Sequence, residues 1–186
     1  TVFAQLLRNE CKACIIKDGN DAEGSTGSSA EKRDCVGVIR LPVMFGRTHT
    51  VQDKFSGQFV HLAYSNCVPR TTFFNSLMPV LSRLDATTLN RIKVNLQPRT
   101  EEPVEGMFHS DLGGDMDIET RKTWTTSVYY INTNNGYTEF EDGTKVESVE
   151  NRMVKFSSDT LHRGVTCTDE QTRVVINFNY LPLYKG

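Results

Sequence analysis

The residues of this chain best suited to chemistry lie in Phe108-His109-Ser110-Asp111. His109 and Asp111 are two positions apart. On an extended strand both project from one face, with Cα atoms roughly 6–7 Å apart. An imidazole and a carboxylate so placed can converge on one metal ion. A second histidine, His162, follows far downstream, and Arg173 comes soon after it. Two histidines and one carboxylate form a facial set of three ligands that leaves positions open on a non-haem Fe(II). Arg173 adds a planar guanidinium, always charged and shaped to grip a carboxylate with two parallel hydrogen bonds.

These side chains need strands to hold them, and from position 91 onward the pattern has a period of two. Arg91, Lys93, Asn95 and Gln97 alternate with Ile92, Val94 and Leu96. The same alternation runs through 126–131 and 173–180, so each strand packs one face and turns the other towards something polar. Further short strands are expected over 137–140, 152–156 and 164–167. Asn134-Asn135-Gly136 reads as a hairpin turn, because Asn and Gly tolerate positive φ, and Asp142-Gly143 reads as another. Upstream, strands are expected over 35–41 and 58–64, with a loop carrying Gly46, Arg47, His49 and Asp53 between them. Residues 2–16 fit a short helix or a strand. Residues 18–34, rich in Gly, Ser and Asp, read as a surface loop. Phe73, Phe74, Leu77, Val80, Leu81 and Leu84 have helical spacing over 70–84, and Pro79 should kink or split that helix. Many short strands without regular strand–helix alternation indicate a sandwich or barrel and exclude a doubly wound sheet.

Composition sets the outer limits. The 186 residues suffice for one domain with a full core, and 24% charged against 38% hydrophobic residues fits a globular chain. A net charge of −2, with no run of Lys or Arg, argues against nucleic-acid binding and against a membrane surface. No apolar run approaches the roughly 20 residues of a membrane span, and no signal-peptide pattern opens the chain. The five cysteines, Cys11, Cys14, Cys35, Cys67 and Cys167, read as free thiols of a reducing compartment, so a cytoplasmic protein is expected. Cys11 and Cys14 have the spacing of half a zinc site but no matching second half.

In order, the segments FHSD, TSVYYIN, GYTEF, RMVKF, LHRGV and RVVINF resemble the Fe(II)/2-oxoglutarate-dependent dioxygenases, with the prolyl 4-hydroxylase-like branch the closest in pattern. The likeness covers about half of the chain, from 91 to 180. It implies a mainly β fold with flanking helices, a double-stranded β-helix of the jelly-roll, cupin-like kind. The expected organisation is a single domain over 1–186, with supporting elements over 1–88 and the jelly-roll core over 89–182. It implies that His109, Asp111 and His162 ligate Fe(II), and that Arg173 binds the distal carboxylate of 2-oxoglutarate. Tyr130 and Asn177 match family positions near that cosubstrate. Gln97 stands before Pro98 where the family commonly offers a Tyr. Asn179 stands where base-repair members carry a second Arg. The presence of Asp111 excludes the halogenase pattern.

The implied reaction consumes O2 and 2-oxoglutarate, with ascorbate as a further candidate cofactor, and hydroxylates an unactivated C–H bond. A prolyl residue of a peptide or protein is the first substrate expected; a free amino acid or small metabolite is the alternative. A non-enzymatic cupin-like metal-binding module is the competing class. A Mn or Zn hydrolase or isomerase would leave Arg173 and Asn177 without a task.

A polar metal and a dianionic cosubstrate require polar side chains around them. Asn95, Gln97, Thr126, Tyr130, Arg173 and Asn177 are therefore expected to face inward. Ile92, Val94, Leu96, Val174, Ile176 and Phe178 should then face outward against the helical segment. His49 and His61 are expected in exposed or ordinary packing positions. Asp115, Asp117 and Glu119 read as a solvated loop or as a recogniser of a basic substrate.

Overall fold

Antiparallel pairing accounts for every strand contact in the computed structural model, which describes residues 44–48, 56–112 and 116–183. The strands are β1 (Met44–Thr48), β2 (Ser56–Ser65), β3 (Val68–Pro69), β4 (Ala86–Pro98), β5 (Thr125–Tyr130), β6 (Tyr137–Phe140), β7 (Lys145–Glu147), β8 (Met153–Ser157), β9 (His162–Val165) and β10 (Thr172–Pro182). The helices are α1 (Phe73–Ser76), α2 (Met78–Leu81) and α3 (Ile118–Thr123). A seven-stranded sheet runs β1-β2-β4-β10-β5-β8, with β3 beside β2, and a three-stranded sheet runs β7-β6-β9. From β5 onward the chain passes repeatedly between the two sheets. This winding makes the mainly β jelly roll expected from the sequence.

β10 lies between β4 and β5, and its residues from Arg173 to Tyr180 are all buried. It can be apolar on one face and polar on the other because each face meets a different partner. Val174, Ile176, Phe178 and Tyr180 join Ile92, Val94, Tyr129 and Ile131 in one core, closed by Phe73, Leu77 and Leu84 with Phe74, Val80 and Leu81 against it. Each fully buried Ile, Leu or Phe there contributes about 1.5–3 kcal/mol. Val128, Tyr130 and Val175 form a smaller cluster on the opposite face with Val146, Val154 and Phe156. The outward apolar face packs on the helices as expected. The inward face is mixed, apolar beside Val128 and Val175 and polar elsewhere.

Local differences have local causes. The helical segment is split into α1 and α2, with Pro79 in the first turn of α2, where its missing N–H leaves no hydrogen bond unmade. Residues 44–48, read as part of a loop, form β1 on the edge of the large sheet, paired with β2. β9 begins at His162, two residues before the expected strand, because His162 pairs with Phe140. The turn at 134–136 is not a hairpin. β5 belongs to the large sheet and β6 to the small one, so this turn crosses between sheets, and Gly143 is the glycine with positive φ among those described. Asp117 caps α3, accepting from the Thr120 N–H at 2.9 Å, and Glu119 pairs with Lys122 at 2.7 Å. These two acids thus serve a helix N-terminus rather than a loop. Asp115, His49, Cys11, Cys14, Cys35 and the segments 2–16, 18–34 and 35–41 lie outside the described residues. His61 is buried and bonds Thr71 at 3.0 Å. Among the described residues no helix is long and apolar enough to cross a membrane.

Candidate metal centre and its cavity

His109 sits on the connection from β4 to α3, and His162 opens β9. Reciprocal backbone hydrogen bonds of 3.0 Å join the two residues in an isolated bridge. Together with Asp111 they bring three potential ligand atoms within 4.8 Å of one another. Their chemistry fits a cation. Nδ1 of His109 lies 3.0 Å from the Met107 carbonyl, and Nδ1 of His162 lies 3.1 Å from the Thr160 carbonyl. A carbonyl only accepts, so each Nδ1 carries the proton and each Nε2 keeps its lone pair for a metal. Burial pushes the His162 pKa down, only partly opposed by Asp111 and the Thr160 hydrogen bond, which keeps the ring neutral and able to coordinate.

Asp111 is held from behind. Its Oδ2 accepts hydrogen bonds from Asn177 and Asn179, both at 3.1 Å. Arg91 reaches Oδ1 at 3.4 Å and the backbone carbonyl at 3.0 Å. Burial alone would raise its pKa, but the net shift is downward, with the charges of Lys93 and Arg91 and the Asn179 hydrogen bond among the causes, so the carboxyl is ionised. Glu139 and Glu105 both pair with Arg163, at 2.6 and 2.7 Å. Arg163 also stacks on Phe108 at 4.5 Å, which secures the connection just before His109.

Arg173 is 3% exposed. Nε donates to Ser148 at 3.0 Å, Nη1 to Gln97 at 3.0 Å and Nη2 to Thr138 at 3.2 Å. The Tyr130 ring lies 5.7 Å from the guanidinium. Among the described residues no carboxylate lies within ion-pair distance, so the charge is buried against neutral acceptors alone. Burial accordingly lowers its pKa, with Tyr130 and Cys167 opposing. A buried, unmatched guanidinium with N–H groups to spare is poised for an anion.

Gly136 explains how Arg173 fits. A Cβ there would stand 2.7 Å from Arg173 Cδ and 2.8 Å from the Val165 carbonyl. Close approach, rather than positive φ, requires glycine at this position. Gly136→Ala is expected to destabilise the protein by about 1–3 kcal/mol in denaturant titration; an unchanged midpoint would show that the neighbours yield freely.

A cavity of about 410 Å³ joins the two centres, lined among others by Lys93, Asn95, Gln97, His109, His162, Arg173 and Asn177. Of the expected cosubstrate residues, Gln97, Asn95, Asn177 and Arg173 line it. Tyr130 stands behind it, donating from its hydroxyl to Thr138 at 2.8 Å. Thr126 lies beyond the His109/Asp111/His162 cluster, bonded to Asn179 at 3.0 Å and Ser158 at 2.9 Å. The sequence reading missed Thr138 and Ser148 at the guanidinium, Arg91 and Asn179 at Asp111, and Lys93 in the cavity wall. Arg91, Lys93 and Asn179 share the parity of the residues singled out, which was the available signal.

No family model and no curated protein sequence matches the chain. Solved structures match it in three dimensions. An oxidoreductase of the 2OG-Fe(II) oxygenase family from Burkholderia pseudomallei superimposes with a TM-score of 0.50 at 10% identity, over 76% of this chain and 74% of that one. A Pseudomonas putida prolyl-4-hydroxylase gives 0.47 at 14% identity, over 73% and 77%. A cupin-like protein from Thermotoga maritima gives 0.39 at 9%, over 73% and 79%. At these identities the likeness is one of fold. The chain is a jelly-roll protein with a His/Asp/His cluster able to hold a metal.

Proposed function

We propose that the protein is an Fe(II)- and 2-oxoglutarate-dependent dioxygenase that hydroxylates an unactivated C–H bond. The observation that carries this reading is Arg173, a buried guanidinium without a carboxylate partner, in the same cavity as His109 and His162. Bound iron would supply the redox chemistry, coupling O2 and the decarboxylation of 2-oxoglutarate to succinate and CO2 with insertion of one oxygen atom into the substrate C–H bond. The protein's part is to bind, orient and exclude. His109, Asp111 and His162 hold the cation from one side, and the Met107 and Thr160 carbonyls fix both imidazoles in the coordinating tautomer. Asn177, Asn179 and Arg91 keep the carboxylate ionised and aimed. Arg173 receives the distal carboxylate of the diacid, with Gln97, Ser148 and Thr138 holding the fork in place. Val128 and Val175 give the cavity an apolar wall that limits water beside the reacting centre.

Purified protein supplied with Fe(II), ascorbate and 2-oxoglutarate in air is expected to form succinate slowly without added substrate, and a chelator should stop it. A non-enzymatic metal-binding module predicts no succinate at saturating iron. The family resemblance makes a prolyl residue the first substrate expected, with an amino acid or small metabolite as the alternative; the cavity wall favours the latter.

A further inference from the structure

We infer that Lys93 and Asn95 form a subsite for a small substrate that carries both a negative group and an N–H donor, an α-amino acid being the simplest such molecule. This rests on the dioxygenase reading above and adds the substrate class.

Lys93 lies on the inward face of β4, opposite Asn177, and lines the cavity. Among the described residues its ammonium has no hydrogen bond and no ion pair. The other two cations nearby are placed differently. Arg91 is engaged with Asp111, and Arg173 sits opposite Gln97, about 13 Å along the strand from Lys93. A five-carbon diacid measures roughly 6 Å from end to end, so one anchored at Arg173 leaves the Lys93 end to another ligand. Lys93 and Arg173 are the lysine and arginine among the described residues of the cavity wall, and no carboxylate lines it. An anion beyond the cosubstrate is what this wall would attract.

Asn95 supplies the second half. It is 7% exposed, and its Oδ1 is a buried acceptor without a protein partner among the described residues. Its orientation follows from a relay that starts at a group able only to accept. Asp111 accepts from Asn177 Nδ2, which leaves Asn177 Oδ1 to accept from Asn95 Nδ2 at 3.4 Å. The Asn95 carbonyl oxygen is thereby left for a hydrogen-bond donor from a ligand. Ionised 2-oxoglutarate has no N–H to offer. An α-amino acid has an ammonium for Asn95 beside a carboxylate for Lys93. A cavity of about 410 Å³ lies within the usual range for small-molecule sites. An uncharged prolyl residue inside a polypeptide would leave Lys93 unmatched.

The test uses protein loaded with Mn(II), which accepts the same kind of ligands as iron and avoids turnover. Calorimetry would measure 2-oxoglutarate binding, then binding of each of the twenty L-amino acids and a capped, uncharged prolyl peptide. At least one amino acid is expected to bind wild type, with its carboxamide about ten- to a hundredfold weaker. At saturating Mn(II), Lys93→Met should weaken that amino acid to the same extent and 2-oxoglutarate by far less, while Lys93→Arg recovers part of the loss. The inference is overturned if no amino acid binds although 2-oxoglutarate does, if acid and carboxamide bind equally, or if Lys93→Met weakens 2-oxoglutarate instead. Binding of the capped peptide equally to wild type and Lys93→Met would also overturn it, in favour of a polypeptide substrate. Failure of 2-oxoglutarate to bind wild type would strike the dioxygenase reading, and the amino-acid titrations would still decide on Lys93.

Discussion

His109→Ala is expected to remove Fe(II)-dependent succinate formation while the protein stays folded. The side chain is 53% exposed, so its loss takes little packing with it. The backbone bridge to His162 does not depend on the imidazole. What disappears is one of the three proposed ligands. Metal affinity should fall by more than the roughly 10- to 100-fold typical of losing a group that merely supports a ligand. A Co(II) titration followed by visible absorption, beside a thermal melt, separates the two effects. His162→Ala should stop turnover equally but also destabilise by about 2–5 kcal/mol, because His162 is buried with its ring 4.7 Å from that of Phe156. Turnover that survives in folded His109→Ala protein would rule out the proposed centre.

Arg173→Ala has the second largest expected effect. Charge-assisted hydrogen bonds to a bound diacid should disappear, raising the apparent KM for 2-oxoglutarate by about ten- to a hundredfold. Turnover at saturating cosubstrate should change much less, since the lost interaction holds ground state and transition state alike. Gln97, Ser148 and Thr138 would each lose a donor, so the variant should also melt earlier. Cosubstrate dependence identical to wild type would refute the assignment.

How much of this was legible beforehand depends on the distance over which each feature is decided. Alternation in β4, β5 and β10 revealed which residues share a face, because side-chain direction in a strand follows from position alone. The separation of Val174 and Ile176 from Arg173 and Asn177 was therefore readable. The split at Pro79 was readable too, since it is local. What alternation cannot tell is which inward residue lies beside which. Thr126 and Asn177 share the inward parity, yet Thr126 meets Asn179 and Ser158 while Asn177 meets Asp111 and Asn95. Those neighbours are set by strand order and register, and the register of β10 on β4 shifts at Asn179/Tyr180 and again at Leu181/Pro182. Gly136 had a similar fate: the turn-forming pair was visible, but the sheet receiving the next strand was not.

The backbone bridge between His109 and His162 has a further consequence. The length of chain from Val104 to His109 touches β9 and its exit at spaced points, through Val104 to Thr166, Gly106 to Gly164 and His109 to His162, rather than along a continuous ladder. Such a strap is fastened by few bonds and can lift locally. An ion gripped by His109 and His162 together would fasten it further, so amide protons along 104–112 should exchange more slowly once the metal is loaded, and the bound ion would govern the rigidity of this part of the cavity wall.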